Sequence, residues 1–486
     1  MSVISVSFLA FVAFVFLGYF ILPIKIRPYW LLVTSIGFYA CFDLKYFLLW
    51  GFCVISTYLA ARYFEKSDSD CKIRKKYILA LTIVLNIGLL VFVKFYGYSM
   101  SILESVFQVK LERISIIVPL GIAFYTLQAV SYCVDVYKGK YSAEKNIAKY
   151  TLYMSYFPII MQGPISRFNQ LGSTLFEGHR FSYTRMKSGL SLMLWGFFKK
   201  MVIADRAAIL VNQVFGNYAD YKGFEILVAV FWYTIQLYAD FSGCVDISRG
   251  VSEVLGIELM DNFKHPYFAT SIKDFWRRWH ISLSSWFRDY IYIPLGGNRK
   301  GVTRRYVNLL TVFFVSGLWH GVGFNYIIWG FLHGGYQVVG ELTQGIRNKF
   351  YEKLHIKEGN VLLKFWKQFF TFCLVAYAWL FFRASGVTAA IAMTISILTN
   401  FNPEILWNGR VFQLGLDTKD WKVLLSACAV LLVVSYLQEK GSVREKIEKL
   451  SAWVRWPIYI VAIFAILIYG IYGPGFDASQ FLYMQF

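Results

Sequence analysis

From Tyr306 to Gly340 the chain carries no Asp, Glu, Lys or Arg. A stretch of that length exceeds the roughly 20 apolar residues a helix needs to cross a bilayer. Comparable apolar segments recur near 2–22, 28–42, 46–61, 77–97, 114–136, 188–212, 223–242, 364–382, 422–437 and 457–472. The pattern predicts an all-α polytopic membrane protein with roughly ten to twelve crossings or half-crossings. Composition agrees: 57% of residues are hydrophobic, 16% are charged and the mean hydropathy is +0.50, which excludes an ordinary soluble domain. With no internal repeat and no soluble appendage in the sequence, residues 1–486 read as one membrane-embedded domain.

The positive-inside rule sets an expected orientation. No Lys or Arg precedes the first apolar segment, and Lys25 and Arg27 follow it, which predicts a retained helix with the N-terminus outside. The basic segments 62–76, 138–149 and 438–455 then fall in the cytoplasm and the poorer loops outside, leaving the C-terminus outside as well. The net charge of +20 is mostly this bias, so nucleic-acid binding is not expected. Seven scattered Cys show no paired spacing, and the six His show no ligand spacing, so neither disulfides nor a metal site are expected.

His320 stands within the uncharged run, in Phe-Val-Ser-Gly-Leu-Trp-His-Gly-Val-Gly-Phe-Asn. An ionisable side chain inside a membrane segment is a functional candidate, and a neutral imidazole is a base. Its plain alternative is a hydrogen bond to a neighbouring helix. Gly317, Gly321 and Gly323 favour the functional reading, because they allow close backbone approach around a ligand or a half-helix break.

A second segment, 264–305, holds nine Lys or Arg against Asp274 and Asp289. Residues 271–292 read as an amphipathic helix lying at the interface, capped by Ser271 and placing Trp276 and His280 on one face. His280 is a second polar candidate. Arg277, Arg278, Arg288, Arg299 and Lys300 could bind a phosphorylated donor; the same cations also suit topology and lipid headgroups. In the apolar helix after Trp232, Gln236 and Asp240 are four apart on one face. Such groups are commonly interhelical glue, as are Gln128, Ser131 and Asp135. The functional alternative is that Asp240 holds a catalytic imidazole in one tautomer.

Several motifs together resemble the membrane-bound O-acyltransferase superfamily in its alginate O-acetyltransferase branch. They are Gln162-Gly-Pro-Ile-Ser-Arg-Phe, Phe198-Lys-Lys with Ile203-Ala-Asp, Tyr238-Ala-Asp-Phe-Ser-Gly, Phe275-Trp-Arg-Arg-Trp-His, Ile293-Pro-Leu-Gly-Gly-Asn, Ser316-Gly-Leu-Trp-His-Gly, Trp379-Leu-Phe-Phe-Arg and the ending Phe481-Leu-Tyr-Met-Gln-Phe. The resemblance implies a ring of helices around a thinned centre, with His320 as the signature histidine, His280 as the second polar position and Trp319 beside them. It further implies transfer of an acetyl group from a cytoplasmic thioester (acetyl-CoA or an acyl carrier) to hydroxyls of an extracytoplasmic polysaccharide. Transfer is expected to be direct or through an SGNH-type secondary acetyltransferase in the bacterial cytoplasmic membrane, with no bound cofactor. His320 is the expected base, and His280, Asn325 or a backbone N–H near Gly321 to Gly323 the expected oxyanion donor. The rival readings are D-alanyl or other acyl transfer from a carrier protein, and a transporter in which the buried His relays protons.

Overall fold

The computed structural model describes residues 2–67, 71–114, 116, 118–160, 162–357 and 359–472; the Phe481–Phe486 ending and the C-terminus lie outside these. Among the described residues there is no β-strand, only one isolated antiparallel bridge between Phe263 and Trp279. The domain expected over 1–486 is organised as two units, Met1–Met193 with Val245–Met260, and Leu194–Cys244 with Asp261–Phe486. Among the described residues six helices are long and apolar enough to cross a membrane, and Val6–Ile21 and Val387–Thr399 are shorter apolar helices. The chain is an all-α, multi-pass membrane protein.

The first unit contains α1 (Val6–Ile21), α2 (Arg27–Ala40), α3 (Tyr46–Lys66), α4 (Lys72–Phe107), α5 (Ile122–Tyr137), α6 (Ile147–Ser155), α7 (Phe157–Ile160) and α8 (Phe168–Leu175). Its polar groups act as glue, as membrane helices require when no water is at hand. Gln128 of α5 donates to the Tyr153 carbonyl of α6 at 2.8 Å and the Thr57 and Tyr150 hydroxyls of α3 and α6 meet at 2.7 Å, whereas Asp135 pairs locally, at 2.8 Å, with exposed Lys140 just past the end of α5. Buried Arg27 donates to the carbonyls of Leu22, Phe20 and His179. Helix α9 (Tyr183–Phe197) follows.

In the second unit the apolar segment expected over 188–212 is interrupted. A wide π-helical turn, Phe198–Ala204, separates α9 from α10 (Asp205–Gly216). The Met201 carbonyl of this turn accepts from the Ile471 N–H at 3.0 Å, and Arg206 at the start of α10 pairs with Asp420 and donates to the Tyr469 carbonyl at 2.6 Å. Arg206 thereby ties α10 to α19 (Thr418–Gln438) and α21 (Ala452–Tyr469); α20 (Val443–Glu448) lies between these two in sequence. The long α11 (Gly223–Leu255) supplies Gln236 and Asp240, and α12 (Ile272–Arg278) and α13 (Ile281–Phe287) come next.

The uncharged run is a helical hairpin, α14 (Val302–His320) and α15 (Phe324–Leu342), followed by α16 (Gln344–Lys353), α17 (Val361–Arg383) and α18 (Val387–Thr399). Gly321 is extended and closes α14 by donating its N–H to the Gly317 carbonyl at 3.1 Å. The break expected near the glycines is therefore present at 321–323. Their close approach, however, is to the neighbouring helix. A Cβ on Gly317 would press on the Tyr326 carbonyl, one on Gly321 on the Tyr326 ring, and one on Gly330 on the Phe313 carbonyl. Small residues let the two backbones touch, which is how membrane helices associate where burial from water contributes nothing.

Gly317→Ala is expected to lower the thermal unfolding midpoint in detergent, since forcing a methyl into such a contact costs ~1–3 kcal/mol. An unchanged midpoint would mean that α14 and α15 do not meet there.

Candidate active site

His320 is the last residue of α14 and is buried, at 4% exposure. Its ring meets Trp319 at 4.7 Å, Trp329 at 4.9 Å and Phe382 at 5.2 Å, each edge-to-face. The Trp329 and Phe382 contacts fix the ring from α15 and α17.

His280 is fully buried but is not on a helix face shared with Trp276, as expected from sequence. The amphipathic helix breaks at Trp279 and His280, where His280 adopts a left-handed backbone with φ 44° and ψ 53°. Its cause is a competing partner for the backbone. Trp279 N–H still closes α12 on the Phe275 carbonyl at 2.8 Å, but Lys264 N–H donates to the Arg278 carbonyl at 2.9 Å and Ile281 N–H to the Asn262 carbonyl at 3.0 Å, so Arg278 and Ile281 pair with 262–264 and the helix does not continue through His280. Ser271 does cap α12 as expected, accepting from Asp274 N–H.

Asn262 also fixes the tautomer of His280. Its side-chain oxygen accepts from the Ser282 N–H at 3.0 Å and the Ser282 hydroxyl at 2.9 Å, which assigns that atom as oxygen. The same oxygen lies 3.3 Å from His280 Nδ1. An acceptor there requires Nδ1 to carry the proton, so the neutral ring offers a lone pair at Nε2. Burial keeps the ring neutral, pushing its pKa down to about 3. A neutral His280 in this tautomer accepts at Nε2, and the expected oxyanion-donor role does not suit it. Phe241 packs on its ring at 4.8 Å, and Trp319 lies 6.2 Å away on the path to His320. One indole therefore touches both imidazoles.

Asp240 and Gln236 are buried on α11. Asp240 meets Lys200 at 2.6 Å, and Lys200 meets Asp205 at 2.7 Å, all three buried. The carboxylate thus has an ammonium as partner where the sequence reading gave it an imidazole to orient. Gln236 Oε1 accepts no hydrogen bond among the described residues. Asn325 is committed elsewhere: its amide donates to the carbonyls of Phe381 and Ala384, both at 3.2 Å. These are orphan carbonyls at the end of α17. With both amide hydrogens used, Asn325 cannot also bind an oxyanion, which corrects the expectation from sequence.

The basic residues divide into two groups. Arg278 is bound to Asp274 at 3.2 Å and to Glu439 at 2.7 Å, so it is a structural cation and not an open donor-binding group. Arg288 pairs with Asp289 at 2.9 Å. Arg277, Arg299 and Lys300 are exposed. Asn308 of α14 holds the loop that carries Arg299 and Lys300 by donating to the Gly297 carbonyl at 3.1 Å.

Two features were given no role by the sequence reading, although Lys199 stood there in the Phe198-Lys-Lys motif. His333 is fully buried on α15, and its Nδ1 accepts from Trp276 Nε1 at 3.2 Å. It lies one turn beyond Trp329, whose ring it meets at 5.2 Å, so the Trp329 indole touches both His320 and His333. Its place in the same uncharged run as His320 was the available signal. Lys199 is the other: buried beside Lys200, it donates to Ser242 at 2.9 Å. Two consecutive lysines inside an apolar run could have pointed to it.

Fold and site define a multi-pass helical membrane protein with a buried histidine pair bridged by an indole. The family model for membrane-bound O-acyltransferases matches residues 141–387. The chain belongs to that family and is an O-acyltransferase. It is 34% identical to a probable alginate O-acetylase of Pseudomonas putida, over 78% of this chain and 76% of the relative. To a peptidoglycan O-acetyltransferase of Helicobacter pylori it is 32% identical, over 79% of this chain and 76% of the relative. To a teichoic acid D-alanyltransferase of Bacillus subtilis it is 28% identical, over 44% of this chain and 56% of the relative.

Asn325→Ala is expected to destabilise the protein, because two buried carbonyls lose their partner at ~1–3 kcal/mol each. Turnover per folded molecule should stay within a few-fold of wild type. Loss of turnover at an unchanged unfolding midpoint would return Asn325 to the chemistry.

Proposed function

We propose that the protein moves an acetyl group from a cytoplasmic thioester, on coenzyme A or an acyl carrier, to hydroxyls of an extracytoplasmic polysaccharide. The transfer is direct or passes through an SGNH-type partner acetyltransferase. The enzyme sits in a bacterial cytoplasmic membrane with both termini outside and the basic segments inside. The observation that supports this reading best is the pair of buried imidazoles on either side of Trp319. Acetyl is favoured over D-alanyl because the relatives named for acetyl transfer match 78% and 79% of the chain, against 44% for the D-alanyl relative.

In this mechanism His320 takes the proton of the acceptor hydroxyl as its oxygen attacks the thioester carbonyl. The tetrahedral adduct collapses, the C–S bond breaks, and the proton passes from the imidazolium to the departing thiolate. His280 holds the acceptor through its Nε2 lone pair, as a positioning group. With Asn325 committed and Gly321 N–H bonded to Gly317, the Val322 and Gly323 N–H groups are the remaining donors of this segment for the oxyanion. Arg277, Arg299 and Lys300 bind the donor's phosphates at a distance from the reacting carbon.

His320→Ala should lower transfer of radiolabelled acetyl in liposomes by ~10²–10⁴; wild-type turnover would remove it from the mechanism. His280→Ala should be milder, and equal losses would mean the two rings act as one unit. Because His280 stays neutral down to about pH 3, it contributes no titration between pH 5 and 8. An acid limb in that range that vanishes in His280→Gln would contradict its assignment as a neutral acceptor.

Replacing Arg277, Arg299 and Lys300 with Gln should raise the donor's KM more than it lowers kcat, as expected for uniform binding of a remote phosphate. The same change at Arg278 should act on stability instead. Unchanged donor kinetics in the triple variant would restrict these cations to topology and lipid contact.

A further inference from the structure

The link between α15 and α17 carries a groove that acyl transfer does not use. Ile346 and Phe350 of α16, one turn apart, form one wall, and Ile356, Leu362, Leu363 and Trp366 complete it around a cavity of about 620 Å³. All but Ile356 and Leu363 are exposed. Around it the chain is strongly basic: between Gln344 and Lys367 stand Arg347, Lys349, Lys353, Lys357, Lys364 and Lys367, against Glu352 and Glu358. Arg347 lines the groove and also donates to the Gly340 carbonyl at 2.6 Å, while Lys367 lies over the Tyr351 ring at 5.1 Å.

Where the groove sits follows from its neighbours. Val361–Arg383 is a candidate span, so Leu362, Leu363 and Trp366 occupy the first turns of a membrane helix, the level at which tryptophan anchors. Arg305 pairs with Glu341 at 2.9 Å, which ties the end of α15 to the start of α14 and to the basic loop before it. By the positive-inside count that is the cytoplasmic side, whose leaflet attracts clustered cations.

We infer that this groove binds an anionic phospholipid, its acyl chain along the apolar walls and its phosphate among the cations of α16 and the following loop. A free phosphate would gain nothing from Ile346, Phe350 and Trp366. A zwitterionic lipid would leave the net positive charge of the segment uncompensated, and a second copy of this chain would bring two like-charged rims together. The combination of exposed apolar walls with a net-positive segment fits a lipid that has both parts.

The test is native mass spectrometry of the full-length protein in detergent, offered dioleoylphosphatidylglycerol or dioleoylphosphatidylcholine at equal concentration. Wild type is expected to retain the glycerol lipid over the choline lipid by roughly tenfold or more. The variant R347Q/K349Q/K353Q/K357Q should lose that preference. Ile346→Asp, which keeps every cation but places a carboxylate on an exposed wall position, should lose it too, and it decides the matter if the charge variant does not fold. Equal retention of the two lipids by wild type, an undiminished preference in Ile346→Asp, or displacement of the bound lipid by excess inorganic phosphate would each overturn the inference.

Discussion

The backbone pairing of 262–264 with 278–281 is the interaction on which the site depends. A sequence with good helical periodicity would carry α12 straight through His280 and point its ring along the helix surface. The hydrogen bonds of Lys264 and Ile281 remove that option and place His280 in a left-handed conformation. For a residue with a Cβ this conformation costs roughly 1–2 kcal/mol. Strain of this size persists only where the surroundings over-determine it, and here Asn262 contributes a backbone bond, two bonds to Ser282 and the contact to the ring. The same amide that supports the strained turn also sets which nitrogen of His280 is basic.

Two further constraints hold the surroundings in register. Lys200 between Asp205 and Asp240 joins the π-helical turn to α11. A buried ion pair adds little net stability over an apolar substitute, but removing one partner leaves a charge stranded at ~3–5 kcal/mol. Its effect is to fix the rotation of α11, and with it Phe241, the residue after Asp240, against the His280 ring. The other constraint is the glycine contact between α14 and α15, which brings Trp329 onto His320. Neither device touches the reacting atoms, yet each sets the position of an aromatic wall against an imidazole.

Much of this was legible in the sequence. Apolar length located the six candidate spans among the described residues, the uncharged run singled out His320, and the glycines marked the break after it. Those signals are local, and local signals report on period and punctuation. What escaped was decided by partners distant in the chain. Asn325 looked like an oxyanion donor until the α17 carbonyls claimed it, and Asp240 looked like an imidazole's partner until Lys200 took that place. The break at His280 was hidden because residues 271–292 have helical spacing throughout; only the strand-like approach of 262–264 competes with it.

Charge counting shows the same division between what composition states and what geometry decides. Nine cations between 264 and 305 suggest an open electropositive surface. Arg278 is held by two carboxylates and Arg305 by Glu341, so part of that charge is spent on fixing helix ends. An exposed ion pair contributes little stability, and its cation is also poorly placed to meet an incoming phosphate, since the carboxylate must first be displaced. Of the open cations, those proposed for the donor, Arg277 and the Arg299–Lys300 loop, differ in their supports: one rises from a short helix and the others from a loop anchored by Asn308. Anchoring matters more than number for an anion that must be held in one orientation, because each flexible ammonium ordered on binding gives back part of the attraction in lost rotamer freedom.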